Sequence, residues 1–217
     1  MKILAADTAL GACSVAVLDG ARTLARRFEA MERGHAEALA PMVEDVMRQS
    51  GIAFADLERL AVTTGPGTFT GQRVGLAFMR GLRVALKKPL VGVTTLEAMC
   101  AAALDEAKTD HGAAIHDARR GEAYLAIASK TDVLLPPTLV TLDAAAAKIS
   151  EIVPQASIAL AGTAAEIVAE TLGRRAMVTS VRQPDALWVA RLAAAAPEPA
   201  EAPHPLYLRA PDAKLPA

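Results

Sequence analysis

Thr63 to Gly75 reads TTGPGTFTGQRVG, a segment dense in glycine and hydroxyl side chains that joins an apolar run to a helix-like run. Leu60-Ala61-Val62 has strand character, and Val74, Ala77, Phe78, Leu82 and Ala85 recur at helical spacing. A strand, a glycine loop and a helix start in that order present free backbone N–H groups at the positive end of a helix dipole, which is a chemistry for holding an anion. The same glycines equally suit a tight turn with close helix packing. Gln72-Arg73 stands where a Walker A loop needs Lys and Ser or Thr. Three residues separate Gly67 from Gly71, where a dinucleotide fingerprint has two, so neither nucleotide motif is present.

Other residue sets carry weaker chemistry. Asp7 and Asp117 each end an apolar run and precede a glycine by four residues, so they suit an acid/base pair across a cleft, although turn formation is the favoured role of an Asp at a strand end. His111, His116 and Asp117 contain metal-ligand types, but a five-residue histidine spacing does not put both rings on one helix face, and a strand is expected there. Ser14 has no G-x-S-x-G elbow and Cys13 has no base nearby in sequence, so nucleophilic catalysis is unsupported. The expected catalytic, metal and cofactor sets are therefore empty.

The elements that would position these residues form two similar halves. Ile3–Ala6, Asp7, Gly11 and Val15–Leu18 read as strand, turn, strand, and so do Ala113–Ile115, Asp117, Gly121 and Tyr124–Ala128, offset by 110 residues. Asp19-Gly20 suits a hairpin into a third strand near Thr23–Phe28. Ala36, Leu39, Met42, Val43, Val46 and Met47 make a helical stripe that stops at Gly51, with Pro41 either in its first turn or kinking it. A short turn capped by Asp56 follows, then a strand near Leu90–Val93 and a helix from about Thr95. In the second half Leu142–Ile152 and Ala164–Leu172 are helix candidates around a strand at Ser157–Ala161, and a further helix follows Pro184-Asp185. Beyond Ala196 the recurrent prolines, to Pro211, exclude regular structure and give a tail or extended strap that Leu206, Tyr207 and Leu208 can anchor.

With 217 residues, 53% hydrophobic and 22% charged, the chain can bury a core as one domain or two small lobes. Its N-terminus is too short in apolar residues for a signal peptide, and no apolar run reaches membrane length, so a cytoplasmic protein is expected. Two irregularly spaced cysteines, Cys13 and Cys100, fit buried reduced thiols. A net charge of −1 and 3% aromatic content argue against a general nucleic-acid binder. Arg80, Arg83, Lys87 and Lys88 cluster toward a helix C-terminus, where a solvated cationic face is ordinary.

GPGTFTG followed by Gln72-Arg73-Val74-Gly75-Leu76 resembles the G-P-G-S-F-T-G-x-R-I-G-L signature of the bacterial TsaB (YeaZ) family, with Thr68 in place of the usual Ser. The resemblance extends through Leu4–Thr8, His35-Ala36-Glu37, Pro89–Val93 with Leu96-Glu97-Ala98, Asp117–Glu122 and Pro205–Arg209, and is weakest between about 131 and 200. It implies an α/β, two-lobed fold of the actin, Hsp70 and sugar-kinase type with duplicated ribonuclease H-like lobes, here 1–106 and 107–217 with the proline-rich tail from about 197. In active members of that superfamily the hairpin turns hold nucleotide phosphates and an Asp manages the metal. Here Thr8-Ala9-Leu10-Gly11 has one glycine and a leucine, a poor phosphate nest, while Arg119-Arg120 in the second turn suit either a phosphate or solvent.

The resemblance further implies a non-catalytic subunit of the tRNA N6-adenosine threonylcarbamoyltransferase complex, acting at adenosine 37 of tRNAs reading codons that begin with A. Its implied partners are the catalytic TsaD paralogue, the TsaE ATPase through the complex, tRNA indirectly, and a second copy of itself when alone. The metal of the catalytic paralogue is held by two helix histidines; here His35 has Leu39 at the next turn, so that site does not carry over. The family's first two helices meet the paralogue, which implies an interface on Leu39, Val43, Met47, Gly71, Gly75 and Phe78. The small residues Gly71, Gly75 and Ala77 otherwise serve internal packing. The alternative function is an independent ATP-dependent kinase or ATPase of the same fold.

Overall fold

A computed structural model describes residues 1–209; Pro211, the last proline of the expected tail, lies outside them. The chain opens with an antiparallel meander, β1 (Lys2–Asp7), β2 (Ala12–Asp19) and β3 (Arg22–Ala30). It continues through α1 (His35–Ser50), β4 (Arg59–Thr63), α2 (Phe69–Leu86), β5 (Leu90–Val93) and α3 (Thr95–Ala107). The same succession follows as β6 (His111–Arg119), β7 (Glu122–Ser129), β8 (Val133–Thr141), α4 (Leu142–Ile152), β9 (Ile158–Ala161), α5 (Ala165–Leu172), β10 (Ala176–Val178) and α6 (Ala186–Ala195). The two five-stranded sheets have orders β3-β2-β1-β4-β5 and β8-β7-β6-β9-β10, so each strand of one has a counterpart in the other, and Asp7 and Asp117 lie toward the ends of counterpart strands.

Both sheets are buried on two faces, which the near-continuous apolar runs of β1, β2 and β6 require. Helix α1 covers one face of the first sheet with Leu39, Val43, Val46 and Met47, and α2 extends that layer through Leu76 and Met79. Pro41 falls inside α1 beyond its first turn, on the exposed side, and the helix continues through it to a left-handed Gly51. The opposite face of the first sheet is covered from the far end of the chain: Ala186, Val189, Ala190 and Ala193 of α6 pack on Ile3, Ala5, Ala16 and Ala61. Reciprocally, Leu96, Met99, Cys100 and Ala103 of α3 pack on Ala114, Ala126 and Ala159 of the second sheet. The last helix of each half thus lies between the sheets.

Two strands escaped the sequence pattern. β8 contains Pro136-Pro137, which argue against a strand, yet it is an edge strand whose pairing with β7 is irregular around that dipeptide. β10 has three residues, too few for a period, and forms the other edge beside β9. The segment after Ala196 is an extended strap. The Leu206 N–H donates to the Thr64 carbonyl at 2.7 Å, Arg80 binds the Pro203 carbonyl, and Arg209 pairs with Glu122 of the second sheet. Cys13 and Cys100 are buried free thiols, each pushed up to about 12 by burial. No helix among the described residues is long and apolar enough to cross a membrane.

Candidate functional site

The glycine loop and the first strand turn form one joint. Thr68 caps α2, its hydroxyl accepting from the Gly71 N–H at 3.1 Å, and its own N–H donates to the Ala9 carbonyl at 2.8 Å. The Thr8 hydroxyl donates to the Gly71 carbonyl at 2.7 Å. A Cβ on Gly67 would run into the Ala9 carbonyl, one on Gly71 into the Thr8 carbonyl, and one on Gly75 would sit 2.7 Å from the Thr8 Oγ1. The glycines therefore serve close backbone approach within the chain, and two of the N–H groups an anion would need at the helix start are already bonded. Of the two readings the loop allowed, packing is the one its geometry meets.

Asp7 lies under this joint, fully buried. Its Oδ1 accepts from the Thr63 hydroxyl at 2.6 Å and from the Ala9 N–H at 3.1 Å, while Oδ2 has no partner among the described residues. Burial pushes its carboxyl up to about 7, against the two hydrogen bonds and with a small push from Asp185. The rest of the turn is closed by distant residues: Gln183 Oε1 accepts from the Gly11 N–H at 2.9 Å, and His35 Nε2 lies 3.0 Å from the Leu10 carbonyl. Asp185 caps α6 by accepting from Leu187 N–H at 2.8 Å and pairs with Arg26, and the Ser14 hydroxyl accepts from the Ala186 N–H at 2.9 Å. Ser14 is thus a buried acceptor for α6. Pro184-Asp185 signalled a helix start, but nothing in the sequence signalled that Gln183 reaches the first turn or that Asp185 reaches Arg26 of β3.

The counterpart turn differs. Asp117 is exposed, and its Oδ1 accepts from the Arg119 N–H at 2.7 Å, closing a turn in which Arg119, Arg120 and Gly121 all have positive φ. Both aspartates are turn formers, in opposite environments. His116 is buried on β6 beside Asp117, its Nδ1 unpartnered among the described residues, and burial pulls its imidazole down to about 4. His111 stands five positions earlier on the same strand, on the other side of the pleat. Among the described residues no three His, Cys, Asp or Glu side chains group to hold a metal ion.

The residues read as a partner surface fall in three places. Leu39, Val43 and Met47 point into the core beneath the first sheet, and Gly71 and Gly75 are closed by the Thr8 turn. Phe78 is half-buried between α2 and that core. Beside them α1 exposes Ala36, Glu37, Pro41 and Glu44, and α2 exposes Ala77, Gly81, Val84 and Ala85.

Residues 28–163 match a family model described as TsaD, tRNA N6-adenosine threonylcarbamoyltransferase. The Escherichia coli K12 tRNA threonylcarbamoyladenosine biosynthesis protein TsaB is 40% identical over 126 residues, 58% of this chain and 54% of that protein. The chain spans about half the length of the curated TsaB relatives it matches. Among solved structures, YeaZ from Pseudomonas aeruginosa superposes with a TM-score of 0.79 at 32% identity, covering 95% of this chain and 99% of that one. The ADPNP-bound activator of the 2-hydroxyisocaproyl-CoA dehydratase from Clostridium difficile superposes with a TM-score of 0.51 at 14% identity, covering 89% and 94%, which shows a shared fold. Two counterpart five-stranded sheets, the GPGTFTG joint and a full-length likeness to a solved YeaZ converge on one conclusion: this chain belongs to the TsaB (YeaZ) family, on the actin and sugar-kinase fold.

Proposed function

We propose that this chain acts in tRNA threonylcarbamoyladenosine biosynthesis as a cytoplasmic, non-catalytic subunit that binds the catalytic TsaD paralogue and makes it competent. The complex would install the N6-threonylcarbamoyl group on adenosine 37 of tRNAs reading codons that begin with A, with TsaE as its ATPase and a homodimer of this chain as the state without partners. Its two lobes would be 1–106 and 107–217. One observation carries the reading: the turn where nucleotide-binding members of the fold hold phosphate is filled by the protein itself. Ala9 N–H is bonded to Asp7 and Gly11 N–H to Gln183, and the carboxyl suited to managing a metal is buried. A bound triphosphate would have to displace these bonds, which weighs against the independent kinase or ATPase.

The interface would lie on α1 and α2 through their exposed small and apolar residues, Ala36 and Pro41 of α1 and Ala77, Gly81, Val84 and Ala85 of α2, with Phe78 at its edge. The core positions Leu39, Val43 and Met47, and the glycines Gly71 and Gly75, would hold the two helices in place beneath that surface. Incubation of the purified chain with tRNA and threonylcarbamoyl-AMP is expected to give no modified adenosine until the catalytic paralogue is added, and the chain alone to hydrolyse no ATP. Robust product or ATP turnover from the chain alone would overturn the proposal.

A further inference from the structure

Helix α2 divides its exposed surface into two strips. The strip beside α1 is the small and apolar one, Ala77, Phe78, Gly81 and Ala85. The other carries Phe69, Arg73, Arg80 and Arg83, at i, i+4, i+11 and i+14 and so along one face, with Lys87 and Lys88 just beyond the helix. No acidic residue occurs in α2. Among the described residues none of the five cations pairs with a carboxylate. Arg73 donates to the Tyr207 hydroxyl at 2.9 Å and lies over the Phe69 ring, and Arg80 binds the Pro203 carbonyl and the His204 ring. Arg83, Lys87 and Lys88 have no side-chain partner among the described residues and line a groove of about 350 Å³ with Val84, Pro89, Pro199 and one carboxylate, Glu198. In a chain of net charge −1, such a ridge of cations on a helix without an acidic residue is a local concentration of positive potential.

The second observation lies at the other end of the ridge. Phe69 and Tyr207 are exposed by 58% and 44%, and their rings stack with centroids 6.0 Å apart. Water-exposed aromatics next to a guanidinium form the kind of platform on which unpaired bases stack, and cations in line from it suit the phosphates that follow. We infer that this ridge of α2, with Tyr207 of the strap, is an RNA-contacting surface: phosphates along Arg83, Lys87 and Lys88, and an unpaired base on Phe69 and Tyr207. The identification of that RNA with tRNA rests on the proposed function; the ridge itself does not. The exposed aromatic pair favours RNA over an acidic protein surface, which would need the cations alone. The RNA strip and the partner strip occupy different flanks of one helix and meet at Val84.

The test is fluorescence anisotropy of a labelled unmodified tRNA transcript titrated with the full-length chain over a range of salt. The variant carrying Arg83→Glu and Lys88→Glu is expected to bind about tenfold or more weakly, and its slope of log affinity against log salt to be shallower by about 1.4 to 1.8. Phe69→Ser with Tyr207→Ser should weaken binding by about five-fold to a hundredfold while leaving the slope unchanged, since stacking releases no counterions. Melting curves confirm that each variant is folded. Unchanged affinity and slope in the folded charge-reversed variant overturns the inference, as does loss of a protein partner with RNA affinity intact, which would mark an acidic protein as the occupant. Pull-down of the catalytic paralogue by the same variants separates the two proposals. Retained pull-down with lost RNA binding supports the ridge, and if even the parent chain captures no paralogue, the proposed function fails while the RNA titration still decides the ridge.

Discussion

The Thr63 hydroxyl donates to Asp7 Oδ1 at 2.6 Å across the β1–β4 pair, while the other oxygen of that fully buried carboxyl has no partner among the described residues. A carboxyl half-satisfied in this way is a better acid kept neutral than a base kept charged, and burial accordingly raises it to about 7. His116 is its opposite, a buried imidazole pulled down to about 4. In the folded state at pH 5 to 6 both groups are mostly uncharged.

These two groups oppose each other in the pH dependence of stability. Asp7 is raised above its unfolded value, so the folded state holds its proton more tightly and the contribution is lost as pH rises from about 4 to about 7. His116 is depressed below its unfolded value, so its contribution is present above about 6.5 and lost as pH falls toward 4. Asp7→Asn is expected to make stability rise more steeply from pH 4.5 to 6.5 and to raise it at pH 8 by on the order of a few kcal/mol. His116→Gln should make stability fall with pH over the same window. Urea midpoints of the three proteins at pH 4.5, 6.5 and 8 check both signs.

Gly75 and Gly81 share a helix and have contrary roles. A Cβ at Gly75 would press on the Thr8 hydroxyl, which already bonds Gly71, whereas one at Gly81 meets nothing within 4 Å. Gly75→Ala should cost about 1 to 3 kcal/mol by overpacking, while Gly81→Ala should gain about 0.5 to 1 kcal/mol from helix propensity. Thermal melts of the two variants are expected to shift in opposite directions.

Asp185 caps α6 and ties it to the first sheet through Arg26. Asp185→Ala should cost about 0.5 to 2 kcal/mol through the lost cap. It should also lower the Asp7 titration, because a carboxylate that disfavours ionised Asp7 is gone. Denaturant unfolding and the carboxyl carbon resonance of Asp7 against pH read the two effects separately.

The strap is seated on Gly92, where a Cβ would come within 2.6 Å of both Pro203 and the Thr64 methyl. Gly92→Val should lift the segment from Pro203 onward and break the bonds of Arg80 to Pro203 and of Arg73 to Tyr207. Limited proteolysis is expected to remove the C-terminal segment faster in this variant, with the two sheets still protected.

The repeated strand, turn, strand pattern around Asp7 and Asp117 made the duplication legible, because burial on both faces writes apolar runs directly into sequence. Helix boundaries at Gly51 and near Thr95 were likewise readable, since capping is local chemistry. β8 and β10 were not, because an edge strand tolerates prolines and brevity that a central one cannot. Nor could local pattern show that α6 returns to the first sheet while α3 serves the second, or that Gln183 closes a turn 172 residues away. Glycine at positions 67, 71 and 75 announced a close approach without naming what approaches. An anion, a partner helix and the chain's own Thr8-Ala9 turn make the same demand on a missing side chain. Tertiary packing gave the position to the turn, and it turned Leu39, Val43 and Met47 to the core, because a helical stripe records that a face is buried and not what buries it.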